Sequence, residues 1–128
     1  MNIKLSLLEE KLILHRLDAD APIPDAVLAS PFFSITRTTE ELSIVLPESV
    51  GLSGTRREAG WACIKVLGPL DFGLTGILAG ISRVLAEEEI SIFAVSTFDT
   101  DYILVKQEKC DRARHVLEIA GYEFVEND

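Results

Sequence analysis

Residues 68–105 read GPLDFGLTGILAGISRVLAEEEISIFAVSTFDTDYILV, and this stretch decides the fold. Apolar residues recur at helical spacing over residues 74–85, which predicts an amphipathic helix. Two short apolar runs follow at Ile90–Thr97 and Tyr102–Lys106. The turn residues of Phe98–Asp101 between them predict a hairpin. This order places loop atoms, a helix start and a hairpin at one end of a small sheet.

The flanking segments extend this pattern into a complete unit. Trp61–Val66 (WACIKV) reads as a buried strand, and Gly68-Pro69 after it forces a turn. Asp111–Ala120 has apolar residues on one side, and Gly121 is well placed to end that helix. Tyr122–Val125 is the last predicted strand. The order β-α-β-β-α-β predicts an α+β, ferredoxin-like fold with both helices on one face of the sheet.

The N-terminal half has a weaker version of the same pattern. Leu12–Leu17 reads as a strand, Pro24–Ala29 as a short helix with proline near its start, and Phe32–Pro47 as a hairpin. Ser49–Gly60 is rich in glycine, serine and charge, and reads as a linker. We therefore expect two related units in tandem.

A gap-free comparison of the two hairpins supports an internal duplication. It pairs Phe33 with Phe93, Thr36 with Ser96, Glu41 with Asp101, Leu42 with Tyr102 and Val45 with Val105. The predicted domains are residues 1–57, an abbreviated unit with its linker, and residues 58–128, a complete unit.

Composition excludes several classes of partner. The 128-residue chain has a formal net charge of −9, which repels phosphate backbones and anionic membranes, so neither nucleic acid nor a membrane is expected as a partner. No window is apolar for long enough to span a bilayer, and the first apolar run is too short for a signal peptide. Cys63 and Cys110 have no metal-type spacing and fit reduced structural thiols. We expect a cytoplasmic protein without cofactor or metal.

The pattern of residues 61–105 resembles the ACT domain, a small regulatory module that binds amino acids. The resemblance rests on GPLDFGLTGILA entering the helix and on AEEEISIFAVSTFDTDYILV after it. More narrowly, the chain is similar to aspartokinase-type tandem ACT proteins and to one half of the CASTOR arginine sensors of animals. Residues 31–38 (PFFSITRT) resemble the N-terminal hairpin of that group.

The resemblance implies an amino acid site where ACT units meet, formed by the strand-to-helix loop and the following hairpin. The loop residues are Leu70, Asp71, Phe72 and Gly73, and the hairpin residues are Thr97, Phe98, Asp99 and Asp101. Asp101 matches an aspartate that contacts arginine in the CASTOR proteins. Leu74 stands where those proteins have an acidic residue that helps to hold arginine, which counts against arginine as the ligand here.

Physical chemistry favours the same place independently. Free N–H groups at the helix start, near residues 72–75, suit an α-carboxylate, and Asp99 or Asp101 suits an ammonium group. The alternative is that Asp71 only caps the helix and Asp99–Asp101 only makes a turn. Thr36 and Glu41, the pairing partners in the first unit, fit exposed turn residues better than site residues.

The sequence is compatible with three kinds of function. The favoured one is a regulatory protein that binds an amino acid and signals through the packing of its ACT units. Alternatives are a ligand-free interaction module and a regulator that has lost its ligand. Catalysis has little support, because no nucleophile accompanies the aspartates. The second face of the sheet in the C-terminal half also carries apolar residues, Phe93 and Val95. Because the two helices cover only the other face, this predicts a homodimer. We also expect a protein partner that this chain regulates, which the sequence does not identify.

Overall fold

The computed structural model describes residues 3–67 and 76–126, and within them it shows a mixed α+β fold. The strands are β1 (Lys4–Leu7), β2 (Leu12–Leu17), β3 (Ser34–Arg37), β4 (Leu42–Pro47), β5 (Arg56–Val66), β6 (Ile92–Ser96), β7 (Asp101–Lys106) and β8 (Glu123–Phe124). The helices are α1 (Asp25–Leu28), α2 (Ile77–Glu87) and α3 (Cys110–Ile119), the last preceded by the 3₁₀ turn Gln107–Lys109.

Two compact units make up the chain. The N-terminal unit is Glu10–Trp61, and the C-terminal unit combines the first nine residues with everything from Ala62 onwards. Strand β5 belongs to both, since Arg56–Trp61 lies in the first and Ala62–Val66 in the second. The α+β fold with ferredoxin-like units in tandem that the sequence predicts is confirmed, and β1 adds a further strand to the C-terminal unit.

The sheet of the C-terminal unit is built around β5. Strand β7 pairs with β5 on one side and with β6 on the other, and β1 pairs antiparallel to β5 with Leu5 opposite Val66. Strand β8 pairs parallel to β1, with Leu5 opposite Phe124. The strand order is therefore β8-β1-β5-β7-β6, which is the ferredoxin-like order with β1 inserted between the first and last strands of the motif.

Helices α2 and α3 cover one face of this sheet. The predicted apolar stripe is confirmed, because Ile81 and Leu85 are fully buried against Ile103, Val105 and Leu117. Helix α2 begins at Ile77, with Gly76 as its N-cap in the left-handed region at φ 80°. The helix start therefore lies after the residues 72–75 named by the sequence reading.

Two glycines at the start of α2, the N-cap Gly76 and Gly80 one turn later, have different roles. A Cβ atom on Gly80 would lie 2.9 Å from the Tyr122 hydroxyl, so Gly80 does permit a close approach. A Cβ atom on Gly76 would contact nothing within 4 Å. Gly76 is instead required by its positive φ at the helix cap.

The N-terminal unit has the strand order β3-β4-β2-β5. Helix α1 buries Val27 against Leu42, Ile44 and Leu46, which project from one face of β4. The pairing of β2 with β5 shifts register between Leu12 and Leu14, because β5 has one additional residue between Glu58 and Trp61. Gly60 lies in this segment, with φ at 78°. Glycine at a positive φ is the usual way to accommodate one additional residue in a strand.

His15 lies inside the N-terminal unit with only 1% of its surface exposed. Its Nδ1 is 2.9 Å from the hydroxyl oxygen of Thr55, which fixes the ring against the start of β5. Burial, and then the positive charge of Arg57, lower the pKa of His15 below its ordinary value of 6.5. The ring is therefore neutral in the folded protein at neutral pH.

We expect folding stability to fall as the pH drops below about 6.5, because the unfolded chain then binds a proton that folded His15 resists. The contribution of neutral His15 to stability is fully present above the pKa that this histidine has in the unfolded chain. It is lost as the pH falls toward the lower pKa of His15 in the folded protein. One such group changes the free energy of unfolding by at most about 1.4 kcal/mol per pH unit. Urea unfolding from pH about 7.5 to about 5 measures it.

His15→Gln should flatten this pH dependence, whereas the matched change at exposed His115 should leave it intact. A slope that is equal in the wild type and in His15→Gln would contradict the assignment. Should His15→Gln fail to fold, NMR titration of the His15 ring in the wild type gives the same answer.

Candidate functional site

The predicted site falls in two segments of the C-terminal unit. Leu70, Asp71, Phe72 and Gly73 lie outside the described residues, so their arrangement remains a prediction. Thr97, Phe98 and Asp99 form the turn between β6 and β7, and Asp101 is the first residue of β7. The structure thus brings together all four hairpin residues named from the sequence.

The turn is closed by a set of threonine hydrogen bonds. The Thr97 N–H donates to the Thr100 carbonyl oxygen at 2.8 Å. The Thr97 hydroxyl donates to the same carbonyl at 3.1 Å and accepts from the Thr100 N–H at 3.2 Å. These bonds satisfy the turn backbone from within the hairpin, so its tip has a defined conformation.

Thr100, which the sequence reading left out, anchors the hairpin to the sheet. Its side chain is only 6% exposed, and its hydroxyl donates to the carbonyl oxygen of Val66. Val66 is the last residue of β5. The hydrogen bond therefore holds the hairpin beside the point where the chain leaves β5 for the predicted loop. A threonine inside a turn gives no sequence signal that its hydroxyl reaches a distant strand.

Asp101 lies opposite Ser96 at the end of the β6–β7 pair. The Ser96 hydroxyl donates to Asp101 Oδ1 at 2.6 Å, a charge-assisted bond that orients the carboxylate. Asp101 shares its strand face with Ile103 and Val105, the face that α2 and α3 cover. Since α2 follows β5 and packs on this face, its N-terminus belongs to the same end of the sheet as Asp101.

Asp99 and Phe98 occupy the exposed tip of the hairpin, where Phe98 is 81% exposed. Within residues 3–67 and 76–126, no lysine or arginine forms an ion pair with Asp99 or Asp101. Tyr102 follows directly. Burial, then Cys63 and Asp99, raise the pKa of Tyr102 above its ordinary value, so the phenol stays protonated at neutral pH. The end of the hairpin therefore presents two carboxylates that can accept a cationic group.

The two hairpins correspond with a shift of one residue from the sequence comparison. In the first unit the Thr38 N–H donates to the Glu41 carbonyl at 2.9 Å, the same turn that Thr97 and Thr100 form. The last strand pair is Arg37 with Leu42 in one unit and Ser96 with Asp101 in the other. Asp101 therefore corresponds to Leu42, and the pairings of Glu41 with Asp101 and of Thr36 with Ser96 were wrong.

The corrected register has a chemical consequence. Leu42 is fully buried in the core of the N-terminal unit, where it cannot serve a polar ligand. A shift of one residue exchanges the two faces of a strand, so only the structural register matches core face with core face. A carboxylate at the position of Asp101 is thus specific to the C-terminal unit.

The described residues contain no group of histidine, cysteine, aspartate or glutamate side chains arranged to hold a metal ion. Neither Cys63 nor Cys110 forms a disulfide, and burial raises the pKa of Cys63 to about 12, which makes this thiol unreactive at neutral pH. None of the helices within residues 3–67 and 76–126 is long and apolar enough to cross a membrane.

Replacing Thr100 with valine should loosen the hairpin, because the Val66 carbonyl loses its donor in a buried place. We expect a loss of about 1–2 kcal/mol in the free energy of unfolding, together with faster hydrogen exchange at the Thr97 N–H. Urea unfolding and NMR exchange measure the two effects. Thr36→Val, at an exposed strand position, is the matched control and should change stability by less than about 0.5 kcal/mol. Unchanged exchange at Thr97 would contradict the anchoring role.

Comparisons with known proteins agree with this architecture. The sequence model of the ACT domain matches residues 56–118, and a model of a separate N-terminal domain matches residues 11–50. Over 101 residues the chain is 32% identical to the human putative protein CASTOR3P, covering 67% of this chain and 61% of that protein. It is 31% identical to the bovine cytosolic arginine sensor for mTORC1 subunit 1, covering 67% of this chain and 30% of that protein. The chain thus spans less than two thirds of the length of either curated relative.

Solved structures extend the similarity to the whole chain. Protein Atu0741 of Agrobacterium tumefaciens superposes with a TM-score of 0.91 at 36% identity, covering 100% of this chain and 96% of that one. The regulatory subunit of aspartate kinase from Thermus thermophilus has a TM-score of 0.63 at 8% identity, covering 91% and 96%, which shows a shared fold. Taken with the βαββαβ order of the C-terminal unit, these similarities show that the chain contains a domain of the ACT family, at residues 56–118.

Proposed function

We propose that this protein is a cytoplasmic regulatory protein that binds an amino acid, without catalysing a reaction, at a site in its C-terminal ACT unit. The observation that carries the proposal is the hairpin, which presents the Asp99 and Asp101 carboxylates without a cationic partner among the described residues. Support also comes from the relatives, because the chain is 31% identical over 99 residues to a cytosolic arginine sensor and itself contains an ACT domain at residues 56–118.

The chemistry of the site suits a zwitterion. A ligand ammonium group would pair with Asp101, whose second oxygen is available while Ser96 holds Oδ1. The first N–H groups of α2, at Ile77, Leu78 and Ala79, have no intrahelical acceptor and would receive an α-carboxylate with the help of the helix dipole. The proposed loop residues Leu70, Asp71, Phe72 and Gly73 would complete the pocket between these two groups.

The proposed ligand is an amino acid other than arginine. The position where the CASTOR arginine sensors have an acidic residue that helps to hold arginine holds Leu74 in this chain, which counts against arginine as the ligand. An apolar residue there favours an uncharged ligand side chain, and Phe98 at the hairpin tip supplies an aromatic surface for it. Binding would act by stabilising one packing of ACT units over another, which a partner protein would then detect.

A thermal-shift screen against the standard amino acids tests the proposal. One uncharged amino acid should raise the melting temperature, since a ligand that binds only the folded state stabilises it. The shift should disappear in Asp101→Asn. Asp111→Asn removes an equal charge from the first turn of α3 in the same unit and should keep the full shift.

The opposite results would each be informative. A shift that survives in Asp101→Asn would remove the hairpin from the site. Silence across the panel in a folded protein would favour the second candidate function, a ligand-free ACT module that only contacts other proteins.

A homodimer is the second part of the proposal. Strand β6 pairs with β7 on one side, and among the described strands it has no partner on the other. Phe93 and Val95 project from β6 opposite the helix-covered face and are only partly buried. An unpaired edge beside apolar side chains is a surface that a second copy can cover.

We expect light scattering to give a mass near twice the chain mass of 14.1 kDa. Val95→Lys should shift the protein toward the monomer, because it places a charge in the apolar surface. Lys is tolerated on a free strand edge, so the variant should still fold, and circular dichroism checks that it does. A monomeric wild type at working concentration would contradict this part while leaving the ligand site untouched.

A further inference from the structure

Two arginines face each other in the N-terminal unit. Arg16 on β2 and Arg56 on β5 are directly opposite partners in an antiparallel pair, so their side chains project from the same face. Like charges in this position repel and destabilise the strand pair. The chain is strongly acidic, with 21 aspartates and glutamates against 12 lysines and arginines. In such a chain this pair is a local concentration of positive charge, to which a small anion can bind.

A groove opens beside this pair, with a cavity volume of about 360 Å³. One wall is the end of β2 and the start of the loop after it, from Arg16 to Asp18, with Ala21. The other wall is the segment Ser53–Arg56 that leads into β5. All of these residues belong to the N-terminal unit. The volume is sufficient for a small metabolite and lies in the range of ligand pockets.

Both walls are held by hydrogen bonds. Arg37 donates to the carbonyl oxygens of Ala19 and Ala21, the latter at 2.8 Å, and so fixes the loop after β2. Thr55 is bound to buried His15 at 2.9 Å, which fixes the opposite wall. The groove is therefore formed before any ligand arrives, and binding does not have to order its walls.

The two guanidinium groups are available as donors. Arg16 uses one N–H to bind the Glu40 carbonyl at 2.9 Å, which orients the group. The Arg56 side chain has no hydrogen-bond or ion-pair partner in the part of the chain that the structure describes. Planar guanidinium groups bind carboxylate and phosphate oxygens in pairs. The acidic side chain of Asp18, also in the groove, reduces its net charge and limits the charge of the anion that fits.

We propose that this groove is a binding site for a small oxyanion, a carboxylate or a phosphate, held between Arg16 and Arg56. The site is separate from the proposed amino acid site, since none of its residues belongs to the C-terminal unit. Its occupant neutralises the repulsion between β2 and β5, so anion binding should also stabilise the N-terminal unit.

NMR titration of the full chain at low ionic strength tests the proposal, with acetate, succinate and inorganic phosphate as probes. At least one probe should produce saturable shifts of the Ser53, Gly54 and Thr55 amide signals. The relative affinities of the carboxylates and phosphate identify the source of the oxyanion. Signals of Thr97 and Asp99 report on the other proposed site and separate the two outcomes.

Arg56→Gln should weaken the binding about tenfold or more, the usual effect of losing one charge-assisted hydrogen bond. Arg57→Gln is the matched control, because the adjacent residue makes the same charge change while its side chain projects from the opposite face of β5. It should weaken binding less than about threefold. Absence of saturable shifts with every probe, or equal weakening in both variants, would overturn the proposal. Arg56 is exposed, so its variant should fold, and its amide spectrum verifies this.

Discussion

The pairing of β1 with the second half of β5 is the interaction on which the C-terminal unit depends. Leu5, Ser6 and Leu7 lie opposite Val66, Lys65 and Ile64, and β8 in turn pairs only with β1 among the described strands. Leu5 and Val66 are both fully buried in the core of this unit. Without β1, the last strand would lose its neighbour, and the carbonyl and N–H groups of β5 would lack partners on one side.

The end of β5 positions the hairpin of the candidate site. The Val66 carbonyl, at the last residue of that strand, accepts the Thr100 hydroxyl, and Thr100 closes the turn that presents Asp99. Asp101 then begins β7 on the face that the helices cover. A fixed strand end thus places the side chains of Asp99 and Asp101 at one end of the hairpin.

Sequence reasoning was reliable wherever periodicity was strong. The helical spacing of Ile77–Leu85 and the alternation of Ile103 and Val105 predicted the βαββ core, because these patterns follow directly from burial on one face. Strand β1 was missed, since the four residues KLSL are too few to show a pattern and their partner is distant in sequence. The register of the repeat was misplaced by one residue because the comparison matched residue types, whereas the turn hydrogen bonds that fix the register, Thr38 to Glu41 and Thr97 to Thr100, are visible only in the structure. The hydrogen bond from the Thr100 hydroxyl to the Val66 carbonyl joins residues distant in sequence, so the local sequence does not predict it.

The division of β5 between the two units has a consequence for synthesis on the ribosome. Strand β1 is synthesised before its partner segment, Ala62–Val66, which follows only after the whole of Glu10–Trp61. The N-terminal unit can therefore close as an insertion within an unfinished neighbour, while β1 waits as an unpaired edge. Until its partner is synthesised, β1 is an unpaired strand, and its polar residues Lys4 and Ser6 would limit aggregation during this delay.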